Sequence, residues 1–443
     1  MPSSRDRLEA VFSRLSARTA NERVFTRLYP EAARAAADAS DARRKAGVSL
    51  GPLDGKIVSI KDLFDVAGEP TLAGSAIRRT APPADRDAMV VRRLRQAGAV
   101  IVGKTAMTEF AFTAVGTNPH FGTPGNAADP ARIPGGSSSG AGVSAAEGTS
   151  EIAIGSDTGG SVRIPAALNG VVGFKPTAGR VPLDGVFPLS FTLDSVGPLA
   201  RTVADCALAD AVMAGGEPAS LVSLPLENLR IGVPQGMLLE GLEPAVASGF
   251  QRSLQLLEKA GARLADHAVD DLVEAMKDAT SSGTIAGIEA ASVHADWLAD
   301  PELAVQVDPR VAGPLARRLS VSASAYIKLI KRRGELARAM DARLAPFDVL
   351  ALPTVPIVAP GIAPLENDRS LQDRADGLLL RNPQVANQFD LTSISLPMPG
   401  TGLPAGLMLF ARHGHDRRLL AIAAAVEAAL ALGDGAEAMA GGR

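Results

Sequence analysis

The stretch EIAIGSDTGGSVRIP, residues 151–165, decides the fold, because an apolar run leads directly into a turn rich in glycine. The run EIAI predicts a buried strand. Gly159 and Gly160 then remove the steric restriction on backbone angles just before Ser161, and four successive backbone N–H groups follow from Thr158 onward. The stretch therefore predicts a strand whose end presents a serine together with several hydrogen-bond donors.

Short apolar runs of the same kind recur along the chain and alternate with helical patterns. Such alternation is typical of an α/β fold, in which helices cover both faces of a central sheet. We therefore predict a single large domain, residues 1–443, built on a mostly mixed β-sheet. The predicted strands lie at 56–60, 99–102, 151–154, 171–174, 229–233, 348–353, 394–398 and 406–411, and the predicted helices at 86–98, 243–261 and 416–432.

Two regions depart from this alternation. Residues 1–46 are rich in Ala, Arg and Glu and contain no glycine, which predicts one or two surface helices. Residues 268–345 have a mostly helical pattern and predict a cap or an insertion within the domain.

Composition excludes several classes of protein. The 443 residues carry a net formal charge of −3, and the basic run 331–333 is short, so no nucleic-acid partner is expected. The single cysteine, Cys206, cannot form an internal disulfide, which favours a reducing compartment. The longest apolar run, 419–432, is interrupted by an acidic residue, and the N-terminus lacks an apolar signal core. We expect a soluble, cytoplasmic protein with no membrane partner.

Two short motifs match known functional loops but lack their structural context. GAVIVGKT, residues 98–105, matches the phosphate-binding loop pattern, yet its central Ala-Val-Ile-Val favours an extended strand over an anion-binding turn. GSSSG, residues 136–140, matches the nucleophile elbow of hydrolases around Ser138, but a polar, proline-containing loop precedes it instead of a strand. Neither motif predicts the function of this chain.

The histidines indicate no metal site. Only two of the five are close in sequence, and no second histidine cluster or cysteine pair supplies further ligands. We therefore expect no metal and no cofactor. The five histidines are His120, His267, His294, His413 and His415.

Three polar segments remain as the candidate site, at 59–68, 134–144 and 155–165. Lys61 follows a predicted strand, at the edge of the sheet where ligand crevices open in α/β proteins. On its own, this lysine is equally consistent with a surface ion pair to a neighbouring aspartate. The loop 134–144 on its own is equally consistent with a flexible turn.

Taken together, the three segments are suited to acyl transfer. A serine without a histidine needs another base, and a lysine amine can serve if burial lowers its pKa by ~2–3 units from about 10.4. A second serine, such as Ser137, can carry the proton between them, because a hydroxyl both donates and accepts. The glycine turn supplies the preorganised N–H groups that a developing oxyanion requires. The pattern predicts attack by Ser161 on a carbonyl, followed by hydrolysis of an acyl-enzyme.

Several blocks of this sequence resemble the amidase signature family. GGSSSGAGVSAAEG and IGSDTGGSVRIPAALNGVVGFKPTAGRVP resemble its signature, and KDLFDVAGEPTLAGS and AGAVIVGKTAMTEFAF resemble its N-terminal blocks. LDSVGPLARTVAD, FDVLALPTVPIVAP and GLPAGLMLFARHGHDRRLL resemble its later blocks, so that most of residues 50–430 is covered. The resemblance implies a Ser–cis-Ser–Lys triad on an α/β fold with a large mixed sheet.

Carried over position by position, the resemblance implies a role for each residue of the site. Lys61 is the base, Ser161 is the acylated nucleophile, and Ser137 is the bridging serine in a cis peptide. The backbone of the glycine turn forms an oxyanion hole, and further residues hold the turn without reacting. The residues of the oxyanion hole are Thr158, Gly159, Gly160 and Ser161, and the supporting residues are Asp157, Arg163 and Ser138.

The chain departs from the family pattern where substrates are selected. Ser139 stands where many members have glycine, and 387–392 replaces a common Asn-x-x-Gly-x-Pro pattern that usually walls the acyl pocket. The proline-rich segment 353–364 either lines an apolar acyl site or is only a crossover.

The expected activity is therefore the cleavage of C–N bonds in small-molecule amides, a chemistry that extends to anilides, carbamates and ureido compounds. For such an enzyme, the expected protein partner is a second copy of the chain, in a homodimer. The alternative is the glutaminase A subunit of a tRNA-dependent amidotransferase, which passes ammonia to a partner subunit.

Overall fold

The computed structural model describes residues 2–18, 23–217 and 220–440. The strands of these residues are β1 Phe25–Leu28, β2 Ile57–Lys61, β3 Val100–Thr105, β4 Ile152–Asp157, β5 Val172–Lys175, β6 Ser195–Ala200, β7 Arg230–Pro234, β8 Arg263–His267, β9 Val349–Pro353, β10 Thr392–Pro397 and β11 Gly406–Ala411.

The helices vary from one turn to a long C-terminal helix, and several begin at a capping side chain. Thr202 caps α6, Thr284 caps α9 and Ser322 caps α13, each by accepting a backbone N–H of the first turn. The helices are α1 Ser4–Ser16, α2 Pro30–Lys45, α3 Met89–Gln96, α4 Ser139–Glu147, α5 Arg163–Asn169, α6 Val203–Ala214, α7 Pro244–Lys259, α8 Asp270–Ala279, α9 Ile285–Val293, α10 Ala295–Leu298, α11 Pro301–Ala304, α12 Pro309–Arg318, α13 Ala323–Leu344, α14 Ile362–Asn367, α15 Arg369–Arg381, α16 Pro383–Gln388 and α17 Asp416–Ala440.

The strands form one mixed sheet in the order β1-β3-β2-β4-β6-β5-β10-β11-β9-β7-β8. Strand β2 pairs in parallel with both β3 and β4, whereas β4, β6, β5, β10, β11 and β9 pair antiparallel in turn. Because β2 and β4 run in the same direction, their carboxyl ends meet at one edge of the sheet. This edge therefore receives Lys61 at the end of β2 and the glycine turn that follows β4.

Strand β4 shows how helices cover both faces of the sheet. Ile152 and Ile154 pack into a large core that includes residues of α6 and α17. Ala153 points to the opposite face and packs with residues of α4 and α5. Since successive side chains of a strand point to opposite faces, a strand covered on both sides must be apolar throughout. This requirement explains the uninterrupted apolar run at 152–154.

The predicted fold class is confirmed, and each of the eight predicted strands is present, with ends that agree to within three residues. The sequence patterns miss β1, β6 and β8. Strand β6 contains Gly197 and Pro198, and β8 is an edge strand whose residues are half-buried or exposed, so neither shows an apolar run. Strand β1 also lies between the two helices of the region 1–46, for which the pattern predicts helices alone.

The region 268–345 contains helices α8 to α13, and several of them pack directly against the main core, α10 through Trp297. Ala290 and Ala291 of α9 and Val311 and Leu315 of α12 belong to the same apolar cluster as β4. Across the described residues, no helix combines the length and the apolar character needed to cross a membrane.

Candidate active site

Lys61 is the last residue of β2, and its side chain is fully buried, so it is not a surface ion-pair residue. Its Nζ donates to Ser137 Oγ at 2.7 Å and to Ser156 Oγ at 2.9 Å. Burial lowers the pKa of Lys61 to about 7, against the weaker opposing effects of Asp194 and Asp157. An amine with this pKa is substantially neutral near neutral pH and is able to accept a proton.

Ser137 lies in the loop that leads into α4, and the peptide bond between Gly136 and Ser137 is cis. A short turn joins α4 to β4, so the N-terminus of α4 lies at the carboxyl end of β4. The N–H of Ser138 donates to the carbonyl of Ser161 at 3.2 Å, and Ser138 Oγ donates to the carbonyl of Ser156 at 3.3 Å. Ser138 therefore ties the Ser137 loop to the segment that carries Ser161.

A buried carboxylate organises the glycine turn. Asp157, the last residue of β4, accepts hydrogen bonds from the N–H groups of Gly160 at 2.9 Å and Val162 at 3.1 Å. Gly160 has a φ of +134°, and a Cβ at this position would lie 2.6 Å from Pro383 Cβ, so the turn requires glycine here. Ser161 thus follows a backbone whose conformation is set from inside the protein.

The buried Arg163 completes this support. Its Nε and Nη2 donate to the two carboxylate oxygens of Asp157 at 3.0 Å and 2.9 Å, and it also donates to the carbonyl of Pro383 and to Asn387 Oδ1, both at 2.7 Å. Burial raises the pKa of Asp157, but Arg163, Lys175 and Asn387 together reverse this and lower it to about 2. The ion pair therefore anchors the glycine turn to α16.

The backbone N–H groups of the turn are not all available to a ligand. The Gly160 N–H is engaged by Asp157 Oδ1, so it does not point freely to a developing oxyanion. The N–H groups of Thr158, Gly159 and Ser161 have no acceptor among the described residues. Three of the four expected N–H donors, those of Thr158, Gly159 and Ser161, are therefore free to bind a ligand. The fourth, the Gly160 N–H, instead stabilises the turn.

The turn opens into a cavity of about 320 Å³. Thr158, Gly159 and Ser161 form part of its wall, and the buried side chains of Lys61 and Ser137 lie behind them. The remaining wall comes from the segments around residues 111–115 and 189–193 and from α9, α12, α15 and α16. The helical region 268–345 is therefore part of the site.

Three residues of the site escape sequence reasoning: Ser156, Asp194 and Asn387. Ser156 is the second acceptor for Lys61, and Asp194 accepts from Thr158 Oγ1 at 2.5 Å. Asn387 donates to Asp157 Oδ1 at 2.9 Å. The only available signal was the change from the family pattern at 387–392, where the asparagine itself is retained.

Of the two motifs set aside on sequence grounds, GSSSG supplies Ser137 and Ser138 to this site, whereas the phosphate-loop match lies outside it. The GAVIVGKT stretch contains β3, and Lys104 within it is buried beside Asp62 and Glu69. No group of three or more His, Cys, Asp or Glu side chains in the described part of the chain is arranged to hold a metal ion. The proline-rich segment 353–364 packs Val355 and Ile357 into a separate apolar cluster and contributes nothing to the cavity wall.

Comparison with known proteins agrees with this geometry. The model of the Amidase family matches residues 6–420. The chain belongs to the amidase signature family. It is therefore an amidase, a hydrolase of amide C–N bonds.

Three similar proteins show how far the likeness extends. The chain is 37% identical to 2-amino-5-chloromuconic acid deaminase of Comamonas testosteroni, over 90% of this chain and 87% of the relative. It is 35% identical to the A subunit of the glutamyl-tRNA(Gln) amidotransferase of Chloroflexus aurantiacus, over 94% of this chain and 91% of the relative. A crystal structure of an amidase superposes with a TM-score of 0.85 at 32% identity, covering 97% of this chain and 96% of that one.

Proposed function

We propose that this amidase cleaves small carboxylic amides through an acyl-enzyme on Ser161, with Ser137 as proton relay and Lys61 as base. The observation that carries the proposal is the 2.7 Å contact between Lys61 Nζ and Ser137 Oγ inside a fully buried site. A lysine with a pKa of about 7 combines a large neutral fraction with sufficient basicity, which is the requirement for a general base at neutral pH.

In the proposed reaction the Lys61–Ser137 contact is the second step of a proton relay that begins at Ser161. As Ser161 Oγ attacks the carbonyl carbon, its proton passes to Ser137 Oγ, whose own proton passes to Lys61 Nζ. The ammonium of Lys61 then returns a proton through Ser137 to the departing nitrogen, so ammonia or an amine leaves as a neutral molecule. Water then attacks the acyl carbon and gives a proton to the same relay. The relay returns this proton to Ser161 Oγ as its bond to the acyl carbon breaks and the acid leaves.

The oxyanion formed in each step needs donors that are fixed in advance. The free N–H groups of Gly159 and Ser161, with that of Thr158, line the same cavity wall as the nucleophile. Asp157 holds the turn through Gly160 and therefore contributes to the oxyanion hole indirectly. In this proposal Gly160 is a supporting residue, and the donors are the other three.

The nature of the amide is a separate part of the proposal. The similar deaminase acts, by its name, on a small carboxylic acid, and a cavity of about 320 Å³ suits a substrate of that size.

The single cysteine, Cys206, is buried and unpaired, which supports the proposed cytoplasmic location.

A second candidate function is that of a glutaminase subunit, supported by the 35% identity to the amidotransferase relative over 94% of this chain. An enzyme that works alone hydrolyses simple amides when purified by itself. A glutaminase subunit is nearly silent until its partner is added, and it prefers glutamine.

One experiment tests the chemistry and separates these functions. The purified chain is assayed with primary amides, anilides, carbamates and glutamine while ammonia and amine release are both measured, and a quenched reaction is analysed by intact mass. We expect turnover of simple amides and an acyl adduct that is absent from Ser161→Ala. If Ser161→Ala kept its amide hydrolysis, the assigned nucleophile would be wrong.

A further inference from the structure

The wall of the cavity opposite the glycine turn includes one face of helix α12. Four residues of α12 line the cavity, and successive turns of the helix place them on the same side. They are Arg310, Pro314, Arg317 and Arg318. Three of these four side chains are arginines. The cavity that Ser161 lines therefore also carries positive charge from α12.

Helix α12 is held in place from the core. The N–H of Asp308, its N-cap residue, donates to Glu109 Oε2 at 2.7 Å. Arg310 forms an ion pair with Asp308 and donates to Thr117 Oγ1 at 2.9 Å. The charge of Arg310 is thus matched by a carboxylate, and its contacts fix the start of the helix.

Arg318, at the other end of α12, has no carboxylate partner among the described residues. Its Nη1 donates to the carbonyl of Pro314 at 2.7 Å, but its buried Nε has no hydrogen-bond partner within the described residues. Among those residues, no carboxylate lies within ion-pair distance of it. Burial lowers the pKa of Arg318, and Arg317 lowers it further, which shows that its surroundings oppose the charge.

The packing around Arg318 depends on a glycine of the neighbouring helix. Gly287 of α9 lies against the guanidinium, and a Cβ at that position would be 2.3 Å from Arg318 Nε. The acidic residues of the same wall are engaged elsewhere. Asp373 is 3.8 Å from Arg369, and Asp376 accepts the N–H of Ala114 at 2.6 Å.

We propose that the substrate of this amidase carries a carboxylate, and that Arg318 binds this carboxylate while Ser161 attacks the amide carbonyl. A guanidinium offers two parallel N–H donors that fit a carboxylate, and a partly buried cation without a counter-ion gains most from such a ligand. The inference rests on the proposed function of Ser161, because both groups must act on one molecule in the same cavity.

Kinetics with matched pairs of substrates test the proposal. Each pair contains a monoamide of a short dicarboxylic acid (malonic, succinic or glutaric) and the amide in which an isopropyl group replaces the carboxylate. We expect a preference in kcat/KM of roughly ten- to a hundredfold for one anionic member, the range of a charge-assisted hydrogen bond. Arg318→Gln removes this preference through KM, Arg318→Lys restores part of it, and the neutral amides change little.

A matched control separates this effect from a loss of surface charge. Arg332 of α13 is half-exposed and pairs with Glu335 at 2.9 Å, away from the cavity wall. Arg332→Gln should therefore keep the preference for the anionic amides. If wild type did not prefer any anionic amide, or if Arg318→Gln weakened both members of each pair equally, the proposal would be overturned while the catalytic assignment stood.

A binding measurement makes the test independent of catalysis. Malonate, succinate or glutarate should raise the melting temperature of Ser161→Ala, and the double variant Ser161→Ala/Arg318→Gln should lose this shift. Equal shifts in the two variants would overturn the proposal even if every amide were hydrolysed. If wild type hydrolysed no amide of the panel, a shift that requires Arg318 would support the binding site and contradict the proposed function.

Discussion

Lys61 and Lys104 are buried lysines on neighbouring strands of one sheet, and they have different surroundings. Lys61 Nζ contacts two serine hydroxyls, whereas Lys104 Nζ lies 3.4 Å from Glu69 and 3.7 Å from Asp62. Carboxylates stabilise an ammonium ion, while hydroxyls compensate only part of its desolvation. Burial alone therefore does not make a lysine a base. Burial without an adjacent carboxylate lowers the pKa of Lys61 and suits it to the proposed role.

The largest effect is expected when Lys61, the lysine proposed as the base, is replaced. Lys61→Met keeps an unbranched side chain as far as the Cε position and removes the amine, so kcat/KM should fall by roughly 10²–10⁴-fold, the usual contribution of a general base. The buried amine opposes folding, so the variant should unfold at the same urea concentration as wild type or higher. Activity within tenfold of wild type would exclude Lys61 as the base.

The second-largest effect is expected on the free energy of unfolding, when Lys104 is replaced. Lys104→Met leaves the buried Asp62 without its cation, whereas Glu69 keeps its ion pair with Arg27 at 2.8 Å. Breaking this buried pair should destabilise the protein by roughly 3–5 kcal/mol. Burial already raises the pKa of Asp62 to about 6, against the opposing effect of Lys104. The loss should therefore be smaller in acid, where this carboxyl is protonated, than at neutral pH.

Urea unfolding at two pH values measures this loss, with Lys61→Met as the matched buried-lysine control. The kcat of folded Lys104→Met should stay within about tenfold of wild type, because its ammonium contacts no reacting atom. A larger stability loss in Lys61→Met than in Lys104→Met would reverse the roles assigned to the two residues.

The two lysines also show how far sequence reasoning extends. KIVSIK and AVIVGK look alike, since each is an apolar strand that ends near a lysine. The glycine turn and the serine loop allow Lys61 to be identified, because acyl transfer needs a base and no histidine is near. Local sequence cannot show that Lys104 faces two carboxylates, because Glu69 approaches it from a different segment.

The same limit applies to the rest of the site. Eight strands could be predicted from short apolar runs, and the glycines and serines of two short segments single out Lys61, Ser137 and Ser161 as candidates, because these patterns are local. The cavity wall could not, because α12 and α15 lie more than a hundred residues from the glycine turn and only the folded chain brings them to it. The engagement of Gly160 by Asp157 likewise depends on a turn geometry that no pattern specifies.

A smaller effect concerns pH. The pKa of Lys61 in the folded protein, about 7, lies below its ordinary value of 10.5, so the amine loses its proton earlier as pH rises. We expect kcat/KM to increase about tenfold per pH unit below this pKa and to level off above it. A rate that peaks in acid would contradict a lysine base.

The lowered pKa of Lys61 should also make the free energy of unfolding depend on pH. Between the two pKa values the unfolded chain binds more protons than the folded one, so the contribution of Lys61 makes stability rise with pH across this window. Subtracting the curve of Lys61→Met from that of wild type isolates the contribution. Lys104→Met should leave this part of the profile unchanged.

The smallest effect should come from Ser156→Ala, which sharpens the comparison by removing one of the two hydroxyls around Lys61. Hydrogen bonds to an ammonium favour the charged form, so their loss should lower the pKa of Lys61 further. The midpoint of the pH–rate profile should then move to lower pH by up to about one unit, with a loss of less than about tenfold in the plateau rate. Ser59→Ala serves as the control, because Ser59 is equally buried on β2 but bonds to Ser144 and Ser150 instead. A midpoint that moved to higher pH would mean that Ser156 stabilises the neutral amine, and the hydroxyl environment would then not explain why Lys61 differs from Lys104.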